Sequence, residues 1–124
     1  MKTNNVIQDK RFVFAVRIVN AYKHLSSSKK EFTLSKQLLR SGTAVGALIR
    51  EAMQAESKAD FIHKLNISLK EANEAQYWLL LLTETKYLTN QQFTSLNNDC
   101  TELLKLLTSI IKSTKQNQKQ VINN

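Results

Sequence analysis

The chain has 124 residues, a formal charge of +8 at pH 7, no proline, two glycines and one cysteine. This length fits one domain with one hydrophobic core, and the scarcity of proline and glycine argues against β-rich folds, whose turns need both. One cysteine excludes an intrachain disulfide or a cysteine zinc site. The longest apolar run, Trp78–Leu82, is far shorter than the roughly 20 residues that cross a bilayer.

The first helix is predicted from about Val6 to Leu25. Apolar residues recur along it at steps of four and three, and this stripe contains Phe14, Ile18, Ala21 and Leu25. A second, adjacent stripe widens the apolar face, and it contains Phe12, Ala15, Val19 and Tyr22. The polar run Ser26–Lys30 then predicts a loop.

The second helix is predicted from near Thr33–Ser35 to about Glu56, and either Thr33 or Ser35 would supply the N-cap oxygen. Its seam keeps the four-three repeat of nearly antiparallel helix packing, with Leu34, Leu38, Ser41, Val45, Leu48, Ala52 and Ala55. Gly42 and Gly46 lie inside this helix. Each costs about 1 kcal/mol in helix propensity relative to alanine, so we expect a packing or binding reason for both.

Two further helices follow, each with a predicted capping box. Ser57 and Asp60 start the third helix, which reaches about Lys86 and has the seam Phe61, Leu65, Ser68, Ala72, Ala75, Leu79 and Leu82. Thr89 and Gln92 start the fourth, from about Asn90 to Lys115, with the seam Phe93, Leu96, Cys100, Leu103, Leu107 and Ile110. The polar tail, about 116–124, is expected to be frayed.

Four amphipathic helices with short connections predict an all-α fold: a single antiparallel, up-down-up-down four-helix bundle. The chain has more apolar residues than these seams need. Leu104 and Ile111 fit a wider core, whereas Leu80, Leu81 and Leu106 are candidates for an interface between subunits.

The basic residues are unevenly distributed along the chain. Residues 1–50 carry ten Lys and Arg against two acidic residues, residues 51–88 carry four against six, and residues 89–124 carry four against two. A basic first half favours phosphate backbones or acidic protein partners, and a solubilising surface is the ordinary alternative. Because the N-terminal stretch also lacks the apolar core of a secretory signal, we expect a cytoplasmic protein with no membrane partner.

Two segments of this chain, LRSGTAVGALIREA and SKADFIHKLNISLKEANEAQYWL, resemble the four-helix-bundle family of 23S rRNA intervening-sequence proteins. That family includes the accessory variability proteins of diversity-generating retroelements. The resemblance covers about Phe12 to Ile111, and it implies an antiparallel four-helix bundle that assembles as a homopentamer. It also implies nucleic acid and a protein such as a reverse transcriptase as partners. The phosphate contacts it implies are Lys10, Arg11, Arg17, Lys23, Lys36, Arg40 and Arg50.

Arg40 and Arg50, together with six other charged or aromatic residues of the matching segments, have two interpretations; the six are Glu51, Asp60, Lys64, Glu71, Glu74 and Trp78. They can form ion pairs and packing contacts that fix helix pairing or a subunit interface. They can instead line a polar pocket or contact nucleic acid. We favour the structural interpretation, because ion pairs commonly set helix orientation.

No catalytic set is evident in the sequence. A di-iron bundle needs Glu-x-x-His on two helices and two further carboxylates, and the chain offers one Asp-x-x-His, Asp60 with His63. Cys100 lies on an apolar seam, where a buried thiol is expected. We therefore predict no enzymatic activity, no metal and no cofactor. The function predicted is that of an oligomeric bundle that binds the RNA or DNA backbone through helices one and two; the alternative is a scaffold or adaptor for an acidic protein.

Overall fold

The computed structural model describes the backbone of residues 2–123 and the side chains of residues 5–117. Over that range it forms four helices, α1 Lys2–Ser27, α2 Leu34–Met53, α3 Lys58–Glu84 and α4 Asn90–Asn123. Each helix packs on the next and α4 returns to α1, whereas the backbones of the diagonal pairs in the described range lie farther apart. The predicted all-α four-helix bundle is confirmed. None of these helices is long and apolar enough to span a membrane.

Neighbouring helices run in opposite directions. The Cys100 thiol donates to the Ala72 carbonyl oxygen over 3.3 Å, and Gln76 Nε2 donates to Asn97 Oδ1 over 2.9 Å. Residue numbers therefore fall along α4 as they rise along α3. The ion pairs described below show the same falling order between α1 and α4. The backbone of α4 continues to Asn123, so it takes in most of the predicted frayed tail, whose side chains from 118 onward lie outside the described residues.

The predicted seams supply most of the core, but Ile7 and Ile49, which no predicted seam contained, are also fully buried, and Leu48 of the predicted second seam is only half-buried. A fully buried Val, Leu, Ile or Phe side chain contributes about 1.5–3 kcal/mol relative to an exposed one. The largest buried side chains come from all four helices: Ile7, Phe14, Ile18, Leu25, Leu38, Val45, Ile49, Leu65, Leu79, Leu82, Leu103 and Leu107.

The two glycines mark the close approach of α1 to α2. A Cβ atom on Gly42 would lie 2.8 Å from both Cγ1 and Cγ2 of Ile18. A Cβ on Gly46 would lie 3.4 Å from the Arg11 carbonyl oxygen. The expected packing reason is thus confirmed at Gly42, where no larger residue fits without movement of Ile18. At Gly46 a Cβ would make only an ordinary contact, so packing does not require glycine there.

The predicted caps of α3 and α4 are present. Ser57 Oγ accepts the Asp60 amide over 3.0 Å. At the start of α4 the bonds are reciprocal: the Gln92 amide donates to Thr89 Oγ1 over 3.1 Å, and the Thr89 amide donates to Gln92 Oε1 over 2.9 Å. Both start signals were therefore correct.

The predicted cap of α2 is wrong. Thr33 occupies the N-cap position, but its side chain makes no capping bond. The buried carboxylate of Glu31 takes that role and accepts the backbone amides of Thr33, Leu34 and Ser35 over 2.6–3.1 Å. A carboxylate at this position also interacts favourably with the positive end of the helix dipole. The buried hydroxyl of Ser35 instead donates a hydrogen bond to the Glu31 carbonyl oxygen over 2.8 Å.

Most off-seam apolar residues of α3 and α4 join the core. Ile111 is buried, and Leu104 and Leu106 are half-buried against it. Leu106 was predicted at a subunit interface, but the wide face of α4 turns it inward. Leu81 is half-buried, and Leu80 stays 48% exposed beside Tyr77, which is 58% exposed.

The second stripe predicted on α1 is only partly correct. Ala15, Val19 and Tyr22 are half-buried, but Phe12 is 63% exposed. Val13 and Val16 are exposed beside it on the outer surface of the helix. The apolar side chains of α1 thus nearly encircle it, and one bundle core cannot cover them all.

Candidate nucleic-acid interface

Three of the seven predicted phosphate contacts are ion-paired across helices. Lys10 Nζ lies 2.8 Å from Glu102 Oε1, and Arg17 Nη1 lies 2.6 Å from Asp99 Oδ2. These two pairs join α1 to α4. Arg17 also donates to the carbonyl oxygen and the hydroxyl of Ser95, over 3.1 and 2.6 Å.

Arg40 joins α2 to α3. Its guanidinium binds Glu71 Oε2 over 3.1 Å and Glu74 Oε2 through its other terminal nitrogen. Glu71 and Glu74 lie three residues apart, on one side of the helix, so a single arginine reaches both. The charge of Arg40 is neutralised within the bundle, and so are the charges of Lys10 and Arg17. Half-exposed pairs of this kind contribute roughly 0–1 kcal/mol each, and they fix which helix faces meet.

Arg11 is also turned inward. Its Cβ and Cδ atoms lie 3.7 Å from where a Cβ on Gly46 would be. Its Nε is buried without a hydrogen-bond partner among the described residues. Arg11 therefore serves mainly as a packing element between α1 and α2.

The remaining three predicted contacts are exposed and form no ion pair within the described part of the chain: Lys23, Lys36 and Arg50. Arg50 lies near the end of α2. Lys23 is in the last turns of α1 and Lys36 in the first turn of α2, so both lie at the opposite end of the bundle.

Three lysines that the sequence analysis did not select lie at the same end as Lys23 and Lys36. They are Lys29 and Lys30 in the α1–α2 connection and Lys86 in the α3–α4 connection. All five are exposed, and we refer to them together as the lysine end. The polar composition of the connections predicted that these lysines are exposed. Only the antiparallel topology places the two connections at the same end of the bundle.

Two carboxylates lie at this end, and neither forms an ion pair with a lysine in the described structure. Glu31 is only 6% exposed and is occupied by three backbone amides of α2. Glu84 is the other acidic residue there, and in the described structure it forms no ion pair. The lysine end thus combines five ammonium groups with one exposed carboxylate, which makes it an anion-attracting surface.

The opposite end has mixed charge. Arg50, Lys58, Lys64, Lys112 and Lys115 lie there with Glu51, Glu56 and Asp60. None of these eight side chains is in an ion pair within the described residues. Because three carboxylates offset five basic groups there, this end attracts phosphate less than the lysine end does.

Trp78 packs against the core rather than standing free. Its ring meets Tyr77 edge to face, with centroids 5.0 Å apart and an interplanar angle of 74°. Its indole nitrogen is buried without a partner among the described groups. Tyr77 is the exposed member of the pair.

The groups considered for catalysis are dispersed. No cluster of three His, Cys, Asp or Glu side chains suited to a metal occurs within the described residues. His63 is exposed on α3. Burial, and secondarily the nearby Asp99 carboxylate, raises the pKa of the Cys100 thiol to about 12. Cys100 is therefore a protonated core residue at neutral pH.

Comparison with known proteins agrees with this architecture. The model of a family described as 23S rRNA-intervening sequence protein matches residues 3–109. A crystal structure from Bacteroides thetaiotaomicron is titled as a protein of unknown function from the S23 ribosomal protein family. It is 64% identical to this chain, the match covers 89% of this chain and 98% of that one, and the TM-score is 0.88. No curated protein matches.

Proposed function

The chain belongs to the 23S rRNA-intervening sequence protein family, and from this premise we propose that it is a non-enzymatic, oligomeric bundle that binds the phosphate backbone of RNA or DNA. The observation that carries the proposal is the lysine end. It gathers five exposed lysines where the chain folds back twice, and the carboxylate of Glu31 is already occupied. We propose that this binding takes place in the cytoplasm.

The structure narrows the predicted contact surface. Lys10, Arg17 and Arg40 form ion pairs with carboxylates of the bundle. These ion pairs argue against phosphate binding through all basic residues of helices one and two. Of the three predicted contacts without an ion pair in the described residues, Arg50 lies at the other end of the bundle, and Lys23 and Lys36 lie at the lysine end with Lys29, Lys30 and Lys86. Ammonium groups bind phosphates without reading sequence. Five such contacts would give a slope of log affinity against log salt of about −4.

The proposal includes assembly of the chain with itself. Exposed apolar residues lie on the outer surfaces of α1 (Phe12, Val13, Val16) and α3 (Tyr77, Leu80). These helices are diagonal in the bundle, so the two surfaces lie on different sides of it. A head-to-tail contact of α1 on α3 would cover both surfaces and would form a ring where the rotation between neighbouring copies closes. A ring of five copies, as the family resemblance implies, would place five lysine ends on one rim.

Binding is tested by fluorescence anisotropy with labelled single-stranded RNA and DNA from 50 to 300 mM NaCl. The test variant is Lys23→Glu with Lys36→Glu. The matched control is Lys58→Glu with Lys70→Glu, which changes the charge equally at exposed positions away from the lysine end. We expect at least a tenfold loss for the test variant and under threefold for the control, with unchanged helical circular dichroism. Equal losses, or no binding at 50 mM NaCl, would refute the proposal.

The alternative partner is an acidic protein, which the same lysines would attract. Affinity capture after nuclease treatment separates the two cases. Retention of a protein partner that depends on Lys23 and Lys36, together with no affinity for RNA or DNA, would favour the adaptor function. A reverse transcriptase that is lost on nuclease treatment would instead favour nucleic acid as the bridge.

Assembly is tested by light scattering with two complementary variants, Phe12→Asp on α1 and Leu80→Asp on α3. Each variant alone loses one half of the proposed contact and is expected to be monomeric. Mixed together, they retain one intact α1 surface and one intact α3 surface, so they should form dimers and nothing larger. An isologous interface would give no such complementation.

A further inference from the structure

α1 and α4 pack less closely than the other neighbouring helices. Between them, next to the lysine end, lies an open cleft of about 420 Å³. We call it the α1–α4 cleft. Its apolar lining consists of Ala21, Leu88 and Leu96. This volume is within the range of small-ligand sites, which typically combine an apolar lining with a few polar groups.

Several polar groups of the cleft are already occupied. Arg17 is committed to Asp99 and Ser95, as described above. Gln92 Oε1 accepts the Thr89 amide in the capping box of α4. The guanidinium of Arg17 therefore brings no unpaired charge to the lining of the cleft.

Three other polar side chains line the cleft without a partner in the described structure. Asn20 and Gln91 are exposed carboxamides on facing helices, and neither forms a hydrogen bond to a described residue. His24 Nε2 is buried and has no hydrogen-bond partner among the described residues. A ligand that supplies a partner would remove the free-energy cost of leaving this buried nitrogen unsatisfied.

These features specify the chemistry of a ligand. Its body should be flat and apolar to lie against Ala21, Leu88 and Leu96. Its edge should carry both donors and acceptors, because each carboxamide offers one of each. Its buried part should be uncharged. A nucleobase meets all three requirements, and Asn and Gln form paired hydrogen bonds with base edges in known complexes.

The position of the cleft links it to phosphate. Lys23 immediately precedes His24, and Lys86 lies two residues before Leu88. We propose that the α1–α4 cleft holds an unpaired nucleobase while lysines of the lysine end hold the adjoining phosphates. This inference rests on the proposed function and deepens it, because a base is available to such a cleft only where the strand is not paired.

The test compares a single-stranded DNA oligonucleotide with an abasic strand of the same length, which retains every phosphate. The cleft variant is Asn20→Ala with Gln91→Ala. The matched control is Gln37→Ala with Asn98→Ala, two exposed carboxamides outside the cleft. We expect the intact protein to bind the abasic strand about five- to tenfold more weakly. The cleft variant should lose this difference and keep its affinity for the abasic strand, and the control should behave as the intact protein.

The outcomes separate this inference from the proposed function. Equal binding of both strands by the intact protein would overturn the base site and leave backbone binding in place. If no strand binds, the lysine end is not a nucleic-acid surface, and the cleft is tested with the four nucleoside monophosphates alone. Shifts in the His24 ring and in the Asn20 and Gln91 side-chain amide resonances would then assign the cleft to a free nucleotide. No shift with any of them would overturn the inference.

Discussion

Replacing each glycine of α2 by alanine gives a matched pair of perturbations with opposite expected signs. Both changes gain about 1 kcal/mol in helix propensity. At Gly42 the new methyl would lie 2.8 Å from Cγ1 and Cγ2 of the fully buried Ile18. At Gly46 its nearest neighbour is the Arg11 carbonyl oxygen at 3.4 Å, an ordinary contact.

The magnitude follows from which atoms must move. Both γ carbons of Ile18 are attached directly to its stiff, branched Cβ, so neither can swing away as the end of a flexible chain would. Overpacking of this kind typically costs about 1–3 kcal/mol. We therefore expect Gly42→Ala to lower the free energy of unfolding by about 1 kcal/mol. Gly46→Ala should raise it by about 0.5–1 kcal/mol, because the propensity gain meets no steric cost.

Urea unfolding followed by circular dichroism, at one fixed protein concentration, measures both changes. A second substitution tests the cause. Ile18→Val keeps both γ carbons and should give no relief, whereas Ile18→Ala removes them and should be less damaging in the Gly42→Ala background than in the native one. Equal stabilisation by both glycine replacements would show that α1 does not approach α2 as closely as described.

Three further predictions concern single residues. Glu31→Ala should lower the free energy of unfolding by about 1–2 kcal/mol, because it removes the acceptor of three α2 amides, and Glu31→Gln should cost less since one oxygen remains. If the cap were unimportant, thermal and urea unfolding would give the same stability for the Glu31→Ala and Glu31→Gln variants. The pKa of the Cys100 thiol is raised from 9.0 to about 12, so the folded state holds this proton to higher pH than the unfolded state does. The resulting contribution of Cys100 to the free energy of unfolding is complete below pH 9 and is lost as pH rises toward 12, by up to about 1.4 kcal/mol per pH unit. Cys100→Ala should remove that part of the pH dependence, and an unchanged slope between pH 9 and 11 would contradict the burial argument. Arg40→Met should cost less than about 1 kcal/mol because Arg40 is half-exposed, and the loss should shrink in 1 M NaCl; a loss that is larger or independent of salt would contradict a surface ion pair.

The sequence determined the architecture of this protein because helical periodicity, caps and breakers are local properties. The four-three seams identified most of the core, and Ser57 and Thr89 marked two helix starts to within a residue. The helix-propensity cost of Gly42 and Gly46 predicted a packing or binding reason for both, and the structure shows the close packing at Gly42. These features need only the residues within a few turns of one helix.

Tertiary structure decided the electrostatics. Lys10, Arg17 and Arg40 were predicted as phosphate contacts, with an ion pair as the favoured interpretation for Arg40. The ion-pair partners of these residues lie 92, 82 and 31–34 residues away along the chain. Which carboxylate meets which lysine depends on the rotation and axial offset of one helix against another, and a single helix does not encode these. The same dependence placed Lys86 at the same end of the bundle as Lys29 and Lys30, and it opened the α1–α4 cleft. The periodicity fixed which face of each helix is buried, whereas the basic residues left to bind an anion were fixed only when the four helices packed.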